Sequence, residues 1–356
     1  MACDLLMSIF MSNTLRVQPE FEDPEEFGEY CEPDRCQLCN GSVVQRLHIP
    51  GDWRRPEEDL DYHVHWCRSC ELGRLHPTPS REELEDAYRV PYMPHAALSF
   101  HDRTSSATRG LLTRIFDRLV GLRPGSADID KDWVRREFGD QPLRICELGC
   151  GSGRLLEEFR AAGHRVVGVE PSESARGIAH AQGLEVFGGT AESPPEEIRS
   201  QRFDVVLMNH VLEHCNAPRQ ALERACNLLE SNGRLVLETP NNEAAGLRWA
   251  GAAWPWLDIP RHLHFFTTKS LHQICEESGF EVSNVEFRGY ARQFQQEWIE
   301  SEKHIARFVN QRGETTPRWV GSARGRWLLL ARTLLAAPQK RFDSVRILAR
   351  RSDQHV

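Results

Sequence analysis

Arg144-Ile145-Cys146-Glu147-Leu148-Gly149-Cys150-Gly151-Ser152-Gly153 sets an apolar run against three glycines at alternate positions, and helix-type spacing resumes near Arg154 to Ala162. The stretch reads as strand, tight turn and helix. Glycine has no Cβ, so the backbone can turn sharply at Gly149 and come close to a bound group at Gly151 and Gly153. A dinucleotide fingerprint would put its third glycine one position later, where this chain has Arg154. A pyrophosphate would need that helix start to be open, so the nicotinamide reading weakens.

Working outward, Val166 to Val169 is a second apolar strand ending at Glu170, 17 positions beyond Gly153. A carboxylate there can accept both hydroxyls of a ribose. Helix-spaced and strand-like runs then alternate through Glu173–Gln182, Val186–Phe187, Val205–Met208, Arg219–Leu229 and Arg234–Glu238. Such alternation builds a parallel sheet covered on both faces. The expected fold is α/β: a doubly wound, Rossmann-like, seven-stranded sheet with a small N-terminal unit whose paired cysteines, Cys36/Cys39 and Cys67/Cys70, make it zinc-ribbon-like. Glu281–Phe287 and Ser344–Ala349 read as a late strand pair bracketing a helical insertion.

Glu147-x-Gly149-x-Gly151-x-Gly153, Glu170, and Phe203-Asp204-Val205-Val206-Leu207-Met208-Asn209-His210-Val211-Leu212-Glu213-His214 together resemble the class I S-adenosylmethionine-dependent methyltransferases over roughly Leu143 to Tyr290. The resemblance implies S-adenosylmethionine as cofactor, with Glu147, Gly149, Gly151, Gly153 and Glu170 as its contacts and Asn209 beside them. Many relatives carry aspartate after the third strand to hold the adenine amino group. This chain has Thr190 there, which shifts the expected contact to the Ala191 backbone or Glu192.

Cys36-x-x-Cys39 and Cys67-x-x-Cys70 are two knuckles separated by 27 residues. Four thiolates so spaced can converge on a tetrahedral zinc ion, and a closed four-sulfur shell leaves no position for substrate, so the expected role is structural. A redox dithiol would need one knuckle near a βαβ unit; the nearby His63 and His65 could substitute as ligands, although such histidines are more often surface residues. A knuckle pair joined to this core, with Pro79 to Leu84 and Tyr88 following, resembles a bacterial-type subset of these methyltransferases. Some members of that subset modify sugars or other small acceptors.

Asp258-Ile259-Pro260-Arg261-His262-Leu263-His264-Phe265-Phe266 follows the fifth strand and a tryptophan-rich loop containing Trp249, Trp254 and Trp256. It is the candidate acceptor site. Histidine titrates near neutrality and can take a hydroxyl proton while aromatic walls exclude water; His262 and His264 are the candidate catalytic residues. His214 is the third, because the Val211–His214 stretch is similar to quinone-pathway O-methyltransferases. Sugar carbon-methyltransferases carry His-Glu-His before the leucine, where this chain has Pro260-Arg261-His262. The missing acid favours oxygen methylation of a small-molecule or glycan-precursor hydroxyl.

The 356-residue chain carries a net charge of −8 and a pI near 6.0, which opposes whole-molecule attraction to polyphosphate. Asn209 is followed by His210-Val211 rather than the Pro-Pro-aromatic of base-amine methylases, which also counts against nucleic acid. A noncatalytic binding protein is the remaining alternative, disfavoured by the intact glycine turn. Charge is uneven: residues 1 to 35 hold nine acidic and two basic side chains, residues 300 to 356 five acidic and twelve basic. Arginines among the leucines of Arg324 to Arg351 suit peripheral contact with an anionic membrane surface. Leu5 to Met11 lacks a basic flank and a cleavage site, and Trp327 to Ala337 falls well short of the ~20 residues of a span, so a cytoplasmic protein is expected. The expected organisation is an acidic arm (1–34), a zinc-binding unit (35–95), a helical connector (96–142), the cofactor-binding core (143–290), and a helical insertion with the final strand (291–356).

Overall fold

The computed structural model describes residues 35–89, 111–122 and 125–352. The acidic arm and residues 96–110 of the connector lie outside the described residues. In chain order the strands are β1 (Val43–Ile49), β2 (Tyr62–Cys67), β3 (Gly73–His76), β4 (Arg144–Leu148), β5 (Arg165–Val169), β6 (Val186–Phe187), β7 (Phe203–Asn209), β8 (Leu229–Pro240), β9 (His264–Phe265), β10 (Phe280–Arg288) and β11 (Ser344–Arg351).

Seven of them form a sheet in the order β10-β11-β8-β7-β4-β5-β6. The β4, β5, β6, β7 and β8 pairings are parallel, and β11 lies antiparallel between β8 and β10. Parallel neighbours need crossovers, and helices Arg154–Ala161, Glu173–Ala181 and Pro218–Leu228 provide three of them. Because helices cover both faces, the central strands are largely apolar: Ile145, Cys146 and Leu148 on β4 and Val205 to Met208 on β7 are all buried. Local chemistry fixes the helix starts. Ser172 accepts from Ala175 N–H, and Thr267 and Ser270 form a reciprocal capping box.

The expected late strand pair is present as β10 and β11, and helices Gln296–Gln311 and Ala323–Thr333 lie between them. The second of these helices turns Leu329 and Leu330 inward and leaves Trp327 and Leu328 about 40% exposed. No described helix is long and apolar enough to cross a membrane.

A second, antiparallel sheet has the order β1-β2-β3-β9. Its last strand comes from the core, from within the candidate acceptor segment, and Leu75 N–H also donates to Leu263 O at 2.9 Å. The cysteine-bearing segment is therefore not closed on itself. Strand β3 alone would expose a bare edge, and β9 covers it. Trp254, Trp256, Tyr290, Phe294 and Trp298 fill the space between this sheet and the insertion helices.

Candidate active site

Strand order in the large sheet reverses at β4, with β5 on one side and β7 on the other. At such a switch point a crevice opens beyond the carboxyl ends of the strands. The glycine turn lies there, with φ of 72° at Gly149, 54° at Gly151 and 80° at Gly153. A Cβ on Gly149 would come within 2.5 Å of Val211 Cγ2, and one on Gly153 within 2.4 Å of Leu184 Cδ1. A Cβ on Gly151 would meet nothing within 4 Å. Gly149 and Gly153 are thus demanded by the protein's own packing, whereas Gly151 faces open space.

Glu170 leaves the end of β5 and accepts Gly151 N–H at 2.8 Å through Oε2 and Ser172 N–H at 2.9 Å through Oε1. Each carboxylate oxygen has a second lone pair to offer. Burial raises its pKa, and the two backbone donors oppose the shift. Two further polar atoms are buried without a protein partner, Glu147 Oε2 and Asn209 Oδ1. Burial pushes the Glu147 carboxyl up to about 8. Unpaired buried groups are costly, and these two stand at the ends of β4 and β7, where the resemblance puts the cofactor. Ala191 is buried. The Glu192 carboxylate is committed to the segment that follows β7, accepting Asn216 N–H at 2.9 Å.

Across the crevice the structure brings His214 and His262 together, with ring centroids 4.6 Å apart and planes at 72°. Each Nδ1 faces a carbonyl, His214 toward Arg261 O at 3.0 Å and His262 toward Trp256 O at 2.9 Å. A carbonyl only accepts, so the proton belongs on Nδ1 in both rings and Nε2 keeps its lone pair. His262 is 1% exposed, and burial together with neighbouring His214 pushes its pKa down to about 4. His214 is half-buried, and Tyr88 of helix Arg81–Arg89 sets its hydroxyl 3.2 Å from Nδ1.

His264 is not part of this pair. It lies on β9 with its ring between Phe266 and Gln37 of the first cysteine knuckle. Burial and Arg74 push its pKa down to about 3. Strand alternation would put residues two apart on one face, but His262 precedes the strand in a loop and only His264 belongs to the small sheet.

Other residues escaped the sequence reading. His210 takes φ of 56° immediately after β7 and stacks on Trp256 at 5.0 Å. Its burial opposes charge, yet hydrogen bonding to Glu213 and Glu238 raises its pKa to about 9. Glu238 is also bound by Arg346 at 2.9 Å, so a buried chain of alternating charge runs under the crevice. Arg54, from the loop between β1 and β2, pairs with Asp258 and donates to Ile259 O at 2.6 Å. It ties the cysteine-bearing segment to the loop that carries His262. Asp258 was visible as part of the acceptor stretch, but nothing local marked Arg54.

Cys36, Cys39, Cys67 and Cys70 converge, all four sulfurs lying within 4.8 Å of one another. Cys36–Cys70 and Cys39–Cys67 sulfurs are 3.4 Å apart, near the ~3.8 Å edge of a tetrahedron with Zn–S bonds of about 2.3 Å. Leu38 N–H points at Cys36 Sγ (3.4 Å) and Ser69 N–H at Cys67 Sγ (3.3 Å). Such donors suit thiolates, and the set can hold a tetrahedral metal ion.

A methyltransferase-domain family model matches residues 122–285. The chain is 33% identical over 197 residues to the ubiquinone biosynthesis O-methyltransferase of Ruegeria sp. (strain TM1040), covering 49% of this chain and 77% of that protein. It is 32% identical over 185 residues to the enzyme of the same name from Azorhizobium caulinodans, covering 47% and 73%. Among solved structures, an S-adenosylmethionine-dependent methyltransferase from Archaeoglobus fulgidus aligns over 68% of this chain and 100% of its own, with a TM-score of 0.42 and 17% identity. The chain belongs to the class I S-adenosylmethionine-dependent methyltransferases. The four cysteines lie outside the matched residues 122–285.

Proposed function

We propose that this enzyme O-methylates a hydroxyl of a small molecule, with His214 as the base and a structural zinc ion on Cys36, Cys39, Cys67 and Cys70. S-adenosylmethionine supplies a methyl group already activated on a sulfonium. Glu170 would hold the ribose, Glu147 and Asn209 the polar groups nearer the sulfur, and Gly151 the space between. The observation that carries the reading is the His214–His262 pair, whose Nδ1 protons are fixed on backbone carbonyls. An acceptor hydroxyl gives its proton to Nε2 of His214 as its oxygen takes the methyl carbon, and the C–S bond breaks as the C–O bond forms. His262 is the poorer base, because a pKa near 4 lies far from working pH. Its neutrality leaves the cation forming on His214 unopposed. In-line displacement needs alignment more than covalent help, and the names of the relatives support oxygen as the atom methylated.

The purified chain is tested with S-adenosylmethionine and a panel of phenols, catechols and hydroxylated sugars. The expected products are a methyl ether and S-adenosylhomocysteine in equal amounts. A carbon-methylated product, or cofactor binding with no turnover on any hydroxyl, would reject the reading.

Glu147 makes a pH prediction. Its raised pKa of about 8 means that at pH 7 the free enzyme holds it mostly protonated. The cationic end of the cofactor favours the carboxylate, so binding at pH 7 releases a proton and affinity rises with pH until about 8, then levels off. Calorimetry at pH 7 in two buffers of different ionisation enthalpy should show the release. Glu147→Gln should abolish it.

A further inference from the structure

One face of the small sheet carries four of the chain's 15 histidines. His48 on β1 is directly opposite His63 on β2, His63 is opposite His76 on β3, and His65 follows His63 on the same face. Their rings form a row: His48 and His63 stack at 4.9 Å, and His65 and His76 at 4.7 Å. Solvent-facing imidazoles in contact repel one another once protonated, so a plain polar face has no use for such a row. At one end it meets carboxylates. Asp61, one residue before β2, sets its carboxylate against His48 Nε2 at 2.5 Å and 3.9 Å from His63 Nε2. Ligand atoms of His48, Asp61 and His63 all lie within 4.8 Å of one another.

Glu314 supplies the second observation. It follows the insertion helix Gln296–Gln311, is remote in sequence, and faces His48 Nδ1 at 2.6 Å. Both ring nitrogens therefore donate to carboxylates; a metal ion would take the place of the Nε2 proton, while Glu314 keeps the one on Nδ1. Histidine ligands of metal ions are oriented in this way. His63 sets Nε2 toward Asp61 at 3.9 Å, and its Nδ1 is buried with no hydrogen-bond partner. Two imidazoles and one carboxylate form a borderline donor set, the kind preferred by zinc among biological cations. Side-chain exposures of 29% for His48, 27% for His63 and 65% for Asp61 leave room for water to complete the shell.

We propose that His48, Asp61 and His63 form a second metal site, distinct from the four cysteines, that takes Zn2+ with Glu314 orienting His48. The ion would join β1, the start of β2 and, through Glu314, the end of the insertion helix. It would clamp the cysteine-bearing sheet to the insertion, whose Trp298 packs against Trp256. The site does not rest on the O-methylation reading or on what the thiols bind.

The full chain is stripped of loosely held metal with a mild chelator and titrated with Zn2+, and bound zinc is counted by elemental analysis. Wild type should hold one zinc per chain more than His48→Ala/His63→Ala, whatever the cysteines retain in both. The same addition should raise the melting temperature of wild type and not that of the double variant. Glu314→Gln should weaken the extra ion at least tenfold while keeping the stoichiometry. His63→Gln, which keeps the volume of the ring, replaces the double variant if that one misfolds. Equal zinc counts in wild type and the variant would overturn the proposal, and unchanged affinity in Glu314→Gln would overturn the role of Glu314.

Discussion

Gly151→Val is expected to fold and to lose S-adenosylmethionine. The left-handed backbone at φ of 54° charges a branched residue about 1–2 kcal/mol, which a domain of this size tolerates. Apart from its chain neighbours, no protein atom stands within 4 Å of the added Cβ, so the free enzyme leaves that position open. The space it takes is the space proposed for the cofactor. Overpacking of that kind costs about 1–3 kcal/mol, and at about 1.4 kcal/mol per tenfold affinity falls roughly five- to a hundred-and-fortyfold. Gly149→Val sets the contrast: its Cβ runs into Val211, so it should lower the melting temperature sharply whether or not cofactor is present. Calorimetry and thermal melting on the two variants separate the cases. Wild-type affinity in Gly151→Val would mean that the open space is not the binding crevice.

Much of this was legible before the structure, and the division follows the range of the interactions. Alternating apolar runs and helix-spaced runs are local, so the strands β4, β5, β7 and β8 and their order of appearance could be read directly. The glycine turn and Glu170 were legible because backbone geometry leaves a residue-type imprint. Convergence of the four cysteines was legible because thiolates at that spacing have few other uses. Pairings across the fold leave no local imprint. That β9 would join the small sheet depends on an exposed β3 edge. That Arg54 would reach Asp258, 204 residues away, depends on how two segments dock. The split between His262 and His264 was hidden for a similar reason, since both stand in one short stretch and only strand formation at His264 sends them to different neighbours. His210 was quoted within the β7 motif, but its buried position over Glu213 and Glu238 requires β8 and β11 to be in place.

His214→Asn is expected to reduce turnover by about two to four orders of magnitude, the usual contribution of a positioned base. Asparagine is chosen because its amide N–H can occupy the place of Nδ1–H and keep the bond to Arg261 O, now 3.0 Å long. The loop stays held while the lone pair at Nε2 is gone. Cofactor affinity should be unchanged, because Glu170, Gly151 and Glu147 are untouched. A loss in kcat with KM preserved is the mark of an interaction made in the transition state. His262→Asn, which likewise keeps its bond to Trp256 O, should cost far less if its task is to stay neutral beside His214. A reversal of the two effects, with His262→Asn the more damaging in kcat, would move the base to the buried ring. It would then need an explanation for catalysis by an imidazole whose pKa lies near 4. Equal and small effects would leave proton removal to water and reduce the site's role to alignment.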